Sequence, residues 1–188
     1  MIQLAELIKN IDDLEIFGSN QIAVNNVSNN SKKIKSGDIY IAIKGSNFDG
    51  HDFIDDAIKE GAVCIICEVY PLIRSENITY IITKSSKETY YRICSNYFDN
   101  PSHKLKLIGI TGTNGKTSCT SLMYQMFNLN GLKCGLISTN KIIVGSKEYD
   151  TNLTTPDSYD LNYYLNEMIK TDIKYCFMEV SSHSIDQR

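Results

Sequence analysis

The chain has 188 residues, enough for one large domain or two small ones. Its 42% hydrophobic and 22% charged residues are ordinary for a soluble globular protein, and a formal net charge of −3 gives no electrostatic footing for nucleic acid or an anionic membrane. Any anionic ligand must be held by a local site.

The first residues, Met1-Ile2-Gln3-Leu4-Ala5-Glu6, lack the basic start and apolar core of a signal peptide. No stretch approaches the roughly 20 apolar residues that cross a bilayer. A cytoplasmic protein without membrane insertion is expected.

Strand and helix patterns alternate along the first half. Ser36-Gly37-Asp38 is a turn feeding Ile39–Ile43, a short apolar strand closed by Lys44-Gly45. Residues Asp52 to Glu60 read as a helix with an Asp cap, stopped by Gly61. Two strands follow, Val63–Cys67 and Ile78–Thr83, separated by a loop containing Pro71. The CxxC of Cys64 and Cys67 lies inside the first of them. Zinc would want a second Cys/His pair at ligand spacing, and the sequence has none, so these thiols read as small core hydrophobes. A helix from about Ser86 to Phe98 presents Tyr90, Ile93, Cys94 and Tyr97 on one face. Asp99-Asn100-Pro101-Ser102 breaks the chain and sets the expected boundary between domains at 1–100 and 104–188.

The second half opens on a strand, Lys104–Ile110, that runs through Thr111–Thr117 into a helix. Leu122, Met126 and Leu129 recur at near-helical spacing, as do Met123 and Phe127, and Gly131 ends the helix. Cys134–Thr139 returns as a strand, and residues 141–149 suit a hairpin around Gly145-Ser146. Thr155 looks like an N-cap with Pro156 at the first helical position, and Leu161, Tyr164, Leu165 and Met168 give that helix an apolar face. The last strand is Tyr175–Met178, ending in Glu179. This order implies an α/β fold in which helices cover a mainly parallel sheet. The chain stops at Arg188 with no closing helix, which points to a piece of a longer protein.

Gly112 to Thr117 carries the strongest chemical signal. Between a strand and a helix, a glycine-rich turn aims successive backbone N–H groups at a phosphate, and the helix N-terminus adds partial positive charge. Lys116 would sit over the β- and γ-phosphates, and the Thr117 hydroxyl would bind Mg²⁺. The usual spacing wants glycine five residues before Gly115, where this chain has Ile110; Gly109 and Gly112 supply the glycines instead. Glu179, at the C-terminal end of an apolar strand, is well placed for the metal. Thr154-Thr155-Pro156-Asp157 suits either a carboxylate or phosphate site or plain helix capping. His51, His103 and His183 have no metal spacing and read as structural.

The run Gly109-Ile110-Thr111-Gly112-Thr113-Asn114-Gly115-Lys116-Thr117 resembles the ATP loop of the Mur ligase family, which shares the shifted glycine. Leu153-Thr154-Thr155-Pro156 and Met178-Glu179-Val180-Ser181-Ser182-His183 are similar to the MurE branch of that family. So are Ser36–Ala42, Gly45 and Asp49-Gly50-His51. The resemblance spans nearly the whole chain. It implies a small N-terminal α/β domain that binds UDP, followed by an incomplete P-loop domain, with an amino-acid-selecting domain absent.

Site residues follow from the resemblance position by position. ATP would meet Gly112, Thr113, Asn114, Gly115, Lys116, Thr117 and Ser118, with Lys116 catalytic and Thr117 and Glu179 on Mg²⁺. Ser31 matches the serine of an Asp-Ser-Arg motif that contacts the uridine nucleotide, although Asn30 and Lys32 replace its flanking residues. Ser46, Asn47, Phe48 and Asp49 match a nucleotide-sugar loop, and Thr154, Thr155, Ser181 and Gln187 match positions that hold the muramoyl-peptide.

The implied reaction adds the third amino acid to UDP-MurNAc-L-Ala-D-Glu. The terminal carboxylate takes the γ-phosphoryl group of ATP, and the amine of meso-diaminopimelate or lysine attacks the acyl phosphate to give an amide and phosphate. Diaminopimelate is the more widespread choice in the family. A monomer is expected for the complete enzyme and no ligation for this piece alone. A GTPase would need Asn-Lys-x-Asp, whereas Asn140-Lys141-Ile142-Ile143 ends in Ile. MurF-like and folylpolyglutamate-synthase-like ligases are closer rivals, disfavoured by the Thr-Thr-Pro and Glu-Val-Ser-Ser-His pair. A non-catalytic nucleotide-binding module is the third alternative.

Overall fold

Runs of residues that are apolar at every position need cover on both sides, and parallel strands between helix layers provide it. In the computed structural model the strands Ile39–Ile41 and Cys64–Cys67 are buried at every position. The structure describes all residues except Asn47, Ile73, residues 152–153 and residues 183–188. Contacts divide the chain into two units, Met1–Tyr97 and Phe98–Arg188.

The first unit contains β1 (Ile2–Gln3), α1 (Leu4–Leu7), β2 (Glu15–Phe17), β3 (Ala23–Val24), β4 (Val27–Ser28), β5 (Ile39–Ile41), α2 (Ile54–Lys59), β6 (Cys64–Cys67), β7 (Thr79–Ile82) and α3 (Ser86–Tyr97). Its main sheet has the order β2-β7-β6-β5-β4. Strands β4 to β7 run parallel and β2 is antiparallel at one edge, while β1 and β3 form a separate antiparallel pair. Tyr40, Ile65, Cys67 and Tyr80 pack with Ile54 and Ala57 of α2. The buried face of α3 holds Tyr90, Ile93 and Cys94, as its spacing predicts, together with Ser86 and Thr89, while Tyr97 is only half-buried.

The expected Asp-capped helix from Asp52 takes a different form. Gly50–Phe53 is a 3₁₀ turn whose cap is Asp49, accepting from the His51 N–H, and α2 begins only at Ile54 with no side-chain cap. A carboxylate two residues before a free N–H closes a tight turn, and Asp49 is nearer the unpaired amides than Asp52. Gly61 does end the element, at φ +103°.

The second unit contains β8 (Lys106–Ile110), α4 (Lys116–Leu129), β9 (Cys134–Ile137), β10 (Lys141–Val144), β11 (Lys147–Asp150), α5 (Ser158–Lys170) and β12 (Tyr175–Glu179). The sheet order is β11-β10-β9-β12-β8. Only β9, β12 and β8 are mutually parallel; β10 and β11 form the hairpin expected at Gly145-Ser146 and make that side antiparallel. The sheet is therefore mixed. Cys176 and Met178 face α5 through Leu165 and Met168, whereas Phe177 faces α4, the alternation a strand imposes.

On α4 spacing leaves two stripes open and the structure chooses one, and on α5 one reading changes. On α4 the stripe Leu122, Met126 and Leu129 is 57%, 54% and 88% exposed, and Met123 and Phe127 pack inward instead. Both stripes have helical spacing; the choice is made by Phe127, whose ring lies 4.9 Å from Phe177 and 5.2 Å from Tyr175. On α5 the N-cap is Asp157, which accepts from the Asp160 N–H at 2.9 Å, so Thr155 is not the cap.

Five of the six cysteines are buried, Cys119 on α4 being exposed, and none is in a disulfide. Burial pushes the Cys64 and Cys176 thiols up and the Cys67 thiol up to about 11. Among the described residues, no helix is long and apolar enough to cross a membrane.

Candidate functional site

Parallel strands deliver their loops to one edge of a sheet, and ligands in such folds sit outside the strands' C-terminal ends. In the second unit β8 and β12 run side by side with Ile110 paired to Glu179. The loop Thr111–Gly115 leaves β8 at that edge and is exposed throughout. Gly112 has φ +147° and Gly115 has φ +78°, the latter with open space where a Cβ would stand. Gly115 precedes α4 without any side-chain cap, so the first amides of the helix face outward from the loop. The Lys116 ammonium folds back over the loop and donates to the Gly112 carbonyl at 2.9 Å. Thr113 and Asn114, in the loop, and Ser118, in the first turn of α4, are exposed.

Glu179 anchors the other side. It is fully buried, and its carboxylate collects three donors. The Thr117 hydroxyl donates to Oε2 at 2.9 Å, the Thr139 amide to Oε1 at 2.9 Å and the Thr139 hydroxyl to Oε2 at 3.2 Å. Thr117 and Glu179 are thus in direct contact, and a carboxylate held beside two hydroxyls is a hard-oxygen donor set of the kind Mg²⁺ prefers. An uncapped helix start, an open glycine loop and a lysine facing it fit a nucleoside triphosphate. Thr139 was missed by sequence reasoning, although it lies two residues beyond β9, which neighbours β12. The parallel pairing of β9 with β12 is what brings it to the carboxylate.

Thr155 joins the same edge. Its hydroxyl donates to the Glu179 carbonyl at 3.0 Å and accepts from the Ser181 amide at 3.3 Å. Thr154 is half-buried beside it. Of the sequence-predicted positions, Asn47 and Gln187 lie outside the described residues, as does His183.

In the first unit Ser31 begins a 3₁₀ turn just after β4, and its neighbour Asn30 caps that turn by accepting from the Lys32 N–H at 3.0 Å. Ser31 is buried. Ser46, Phe48 and Asp49 belong to the loop after β5, so both segments leave the C-terminal ends of adjacent parallel strands. Ser46 and Phe48 are exposed at the loop tip. The loop base is closed by a bridge between Lys44 and Asp49, by the Gly45 amide on the Phe48 carbonyl at 2.9 Å and by the Gly50 amide on the Ile43 carbonyl at 3.0 Å. The Tyr40 hydroxyl donates to the Gly50 carbonyl at 2.8 Å, and burial together with the Asp49 charge pushes that phenol up to about 12. The Asp49 carboxyl is held below the usual range, first by the His51 amide and then by its ring.

Gly50 has no room for a side chain: a Cβ there would stand 2.6 Å from the Ile43 nitrogen and 2.8 Å from its oxygen. Both contacts are backbone, so neither can swing aside. Gly50→Ala is expected to destabilise the first unit by about 1–3 kcal/mol, the range of forced overpacking. Thermal or denaturant unfolding measures it, and an unchanged midpoint would show that the loop base is not rigid.

The profile of the Mur ligase family catalytic domain matches residues 23–104, and that of the Mur ligase middle domain matches residues 110–188. A UDP-N-acetylmuramoyl-L-alanyl-D-glutamate–2,6-diaminopimelate ligase of Cytophaga hutchinsonii is 42% identical over 188 residues, covering 100% of this chain and 39% of the relative. The ligase of the same name from Clostridioides difficile is 41% identical, covering 98% of this chain and 38% of the relative. The chain therefore spans roughly two-fifths of the length of these relatives. A solved structure of a ligase of that name superposes with a TM-score of 0.75 at 23% identity, covering 99% of this chain and 37% of the other, a likeness of fold. A MurF ligase from Thermotoga maritima in complex with ADP superposes with a TM-score of 0.55 at 26% identity, covering 85% of this chain and 32% of the other. With two profiles of one family lying in order along both units, the chain belongs to the Mur ligase family.

Proposed function

We propose that this chain is the substrate-nucleotide and ATP-handling part of a ligase that joins a diamino acid, 2,6-diaminopimelate, to the D-glutamate carboxylate of UDP-MurNAc-L-Ala-D-Glu. The observation that carries the reading is the Thr117–Glu179 contact beside the open glycine loop of Lys116. Relatives about 40% identical bear the name of that activity. Their name also favours diaminopimelate over lysine and a MurE-like ligase over a MurF-like one. A cytoplasmic location fits a reaction between ATP and a nucleotide-linked precursor.

A carboxylate is a poor acyl donor because its leaving group would be oxide, so it is activated by phosphorylation at the expense of ATP. Such a transfer needs alignment and charge neutralisation more than proton movement. The amides of Gly112 to Ser118 orient the phosphates of ATP, and Lys116 leaves the Gly112 carbonyl for the β- and γ-oxygens. Thr117 and Glu179 are the residues that would hold Mg²⁺, whose chemistry is to offset negative charge on those oxygens. Thr154, Thr155, Ser181 and Gln187 receive the muramoyl-peptide, and the Thr155 bonds to the Glu179 carbonyl and the Ser181 amide keep that edge beside the phosphate loop.

In this reading the first unit holds the uridine end through Ser31 and the Ser46–Asp49 loop. Titrating UDP into isotopically labelled chain should shift amides of Ser31 to Lys33 and of the loop after β5. If only residues beyond Lys104 respond, the division of labour is wrong. The ligase assignment itself is tested in a protein of the relatives' full length, by ADP release that requires both UDP-MurNAc-L-Ala-D-Glu and diaminopimelate. ATP hydrolysis indifferent to either would point to the binding-module alternative.

A further inference from the structure

A loop that receives a ligand loses affinity in proportion to the time it spends elsewhere. The loop Lys44–Asp49 carries two exposed tip residues on a closed base, so its position depends on what holds that base to the sheet. A side chain just after it reaches across to the residue that follows β6. His51 lies just after the loop; its Nδ1 is 2.6 Å from Asp49 Oδ1, and its Nε2 is 3.0 Å from the amide nitrogen of Glu68, which follows β6. The ring is only 19% exposed. Glu68 is itself fixed, because its Oε1 accepts from the Ser86 amide at the start of α3 at 2.8 Å. The Asp49 carboxylate, the imidazole, Glu68 and α3 form one connected chain.

Donor and acceptor roles follow without ambiguity. The Glu68 amide can only donate, so Nε2 must be an acceptor and carries no proton. The Asp49 carboxylate accepts, as it already does from the His51 amide at 3.0 Å, so Nδ1 carries the hydrogen. Protonating the ring fully would set an Nε2–H against the Glu68 N–H. The bridge therefore exists only in the neutral Nδ1–H form, the less common tautomer of a free imidazole.

We propose that His51 is a positioning residue, locked as the neutral Nδ1–H tautomer, that holds the Lys44–Asp49 loop in the conformation receiving the uridine diphosphate group. The ligand half of this statement rests on the reading of the first unit given above. The backbone just before the imidazole is fixed at Gly50, whose carbonyl accepts from the Tyr40 hydroxyl and whose amide donates to the Ile43 carbonyl.

The experiment uses the 188-residue chain with ¹⁵N-labelled histidine. Long-range ¹H–¹⁵N spectra near neutral pH should show His51 as the Nδ1–H tautomer. An Nε2–H or doubly protonated ring overturns the proposal. His51→Ala should keep the wild-type melting midpoint, move amide signals at 44–51 and at Glu68, and raise the apparent Kd for UDP about ten-fold as the competent loop population falls. ATP binding should stay as in the wild type. Unchanged UDP affinity in a folded His51→Ala overturns the positioning role. Should that variant fail to fold, His51→Gln, whose carbonyl can take the Glu68 N–H but cannot serve Asp49, should still weaken UDP; wild-type affinity there overturns the role equally. A wild-type chain that ignores UDP would overturn the uridine-site reading and the ligand half of the proposal. The tautomer and the loop shifts would then still decide whether His51 locks the loop.

Discussion

Lys116→Ala should abolish ATP-dependent ligation in a protein of the relatives' full length while leaving the fold intact. Among the described residues the side chain belongs to no core cluster; its ammonium donates to the exposed Gly112 carbonyl, and the helix it starts has no side-chain cap there to lose. Its loss costs the unit little stability. The loop amides remain and still orient phosphate, so weak nucleotide binding should survive. What disappears is a flexible cation able to follow charge onto the transferring phosphoryl group. Removing a single well-placed electrostatic group commonly costs about 10²–10³ in rate, and a phosphoryl transfer carries more charge than most reactions. The measurement is ADP release and amide formation, with circular dichroism and a melting curve as controls. Turnover within a few-fold of the wild type would sink the assignment of the loop.

Two substitutions at Glu179 should separate charge from architecture. Glu179→Gln keeps the shape, one oxygen for the Thr139 amide, and an NH₂ that either threonine hydroxyl can turn to accept. Its stability should lie within about 1 kcal/mol of the wild type, because the Thr139 amide keeps its acceptor and the two hydroxyls, no longer donating to this side chain, can accept from its NH₂. Glu179→Ala strands the Thr139 amide and leaves a hole beside two hydroxyls, at a cost of about 1–3 kcal/mol for the unsatisfied buried group alone. Both variants lack the negative charge, so both should lose Mg²⁺-dependent nucleotide affinity, and turnover should fall by about 10²–10³. Equal Mg²⁺ dependence in Glu179→Gln and the wild type would reduce Glu179 to a structural clasp between α4, β9 and β12.

Much of this was readable from the sequence because the signals are local. A strand, a glycine turn and Lys-Thr at a helix start are neighbours in the chain, and the acid at the end of β12 follows directly on its own apolar strand. The long helices α3 and α5 announce their buried faces through spacing that the core respects. Other features have no local trace. Strands β1, β3 and β4 are two residues each, too short for any period to show. Thr139 reaches Glu179 across 40 residues and His51 reaches Glu68 across 17, so both roles are created by strand order. The faces of α4 could not be ranked by spacing, since two stripes fit and only Phe177 and Tyr175 choose between them. Thr155 was misread for a related reason. A threonine before proline and aspartate is a plausible cap, but Asp157 stands closer to the free amides of α5, which releases Thr155 to the end of β12.

The burial of the thiols makes the phosphate loop chemically addressable. Five sulfurs are shut inside the two cores, and the four pushed upward (Cys64, Cys67, Cys134 and Cys176) are further removed from the reactive thiolate. Cys119 alone meets solvent, one turn into α4 and three residues beyond Lys116. A maleimide dye or spin label added to the folded chain has a single place to go. That place is near enough to the glycine loop for its emission or its mobility to report occupancy there, with no residue introduced by mutation.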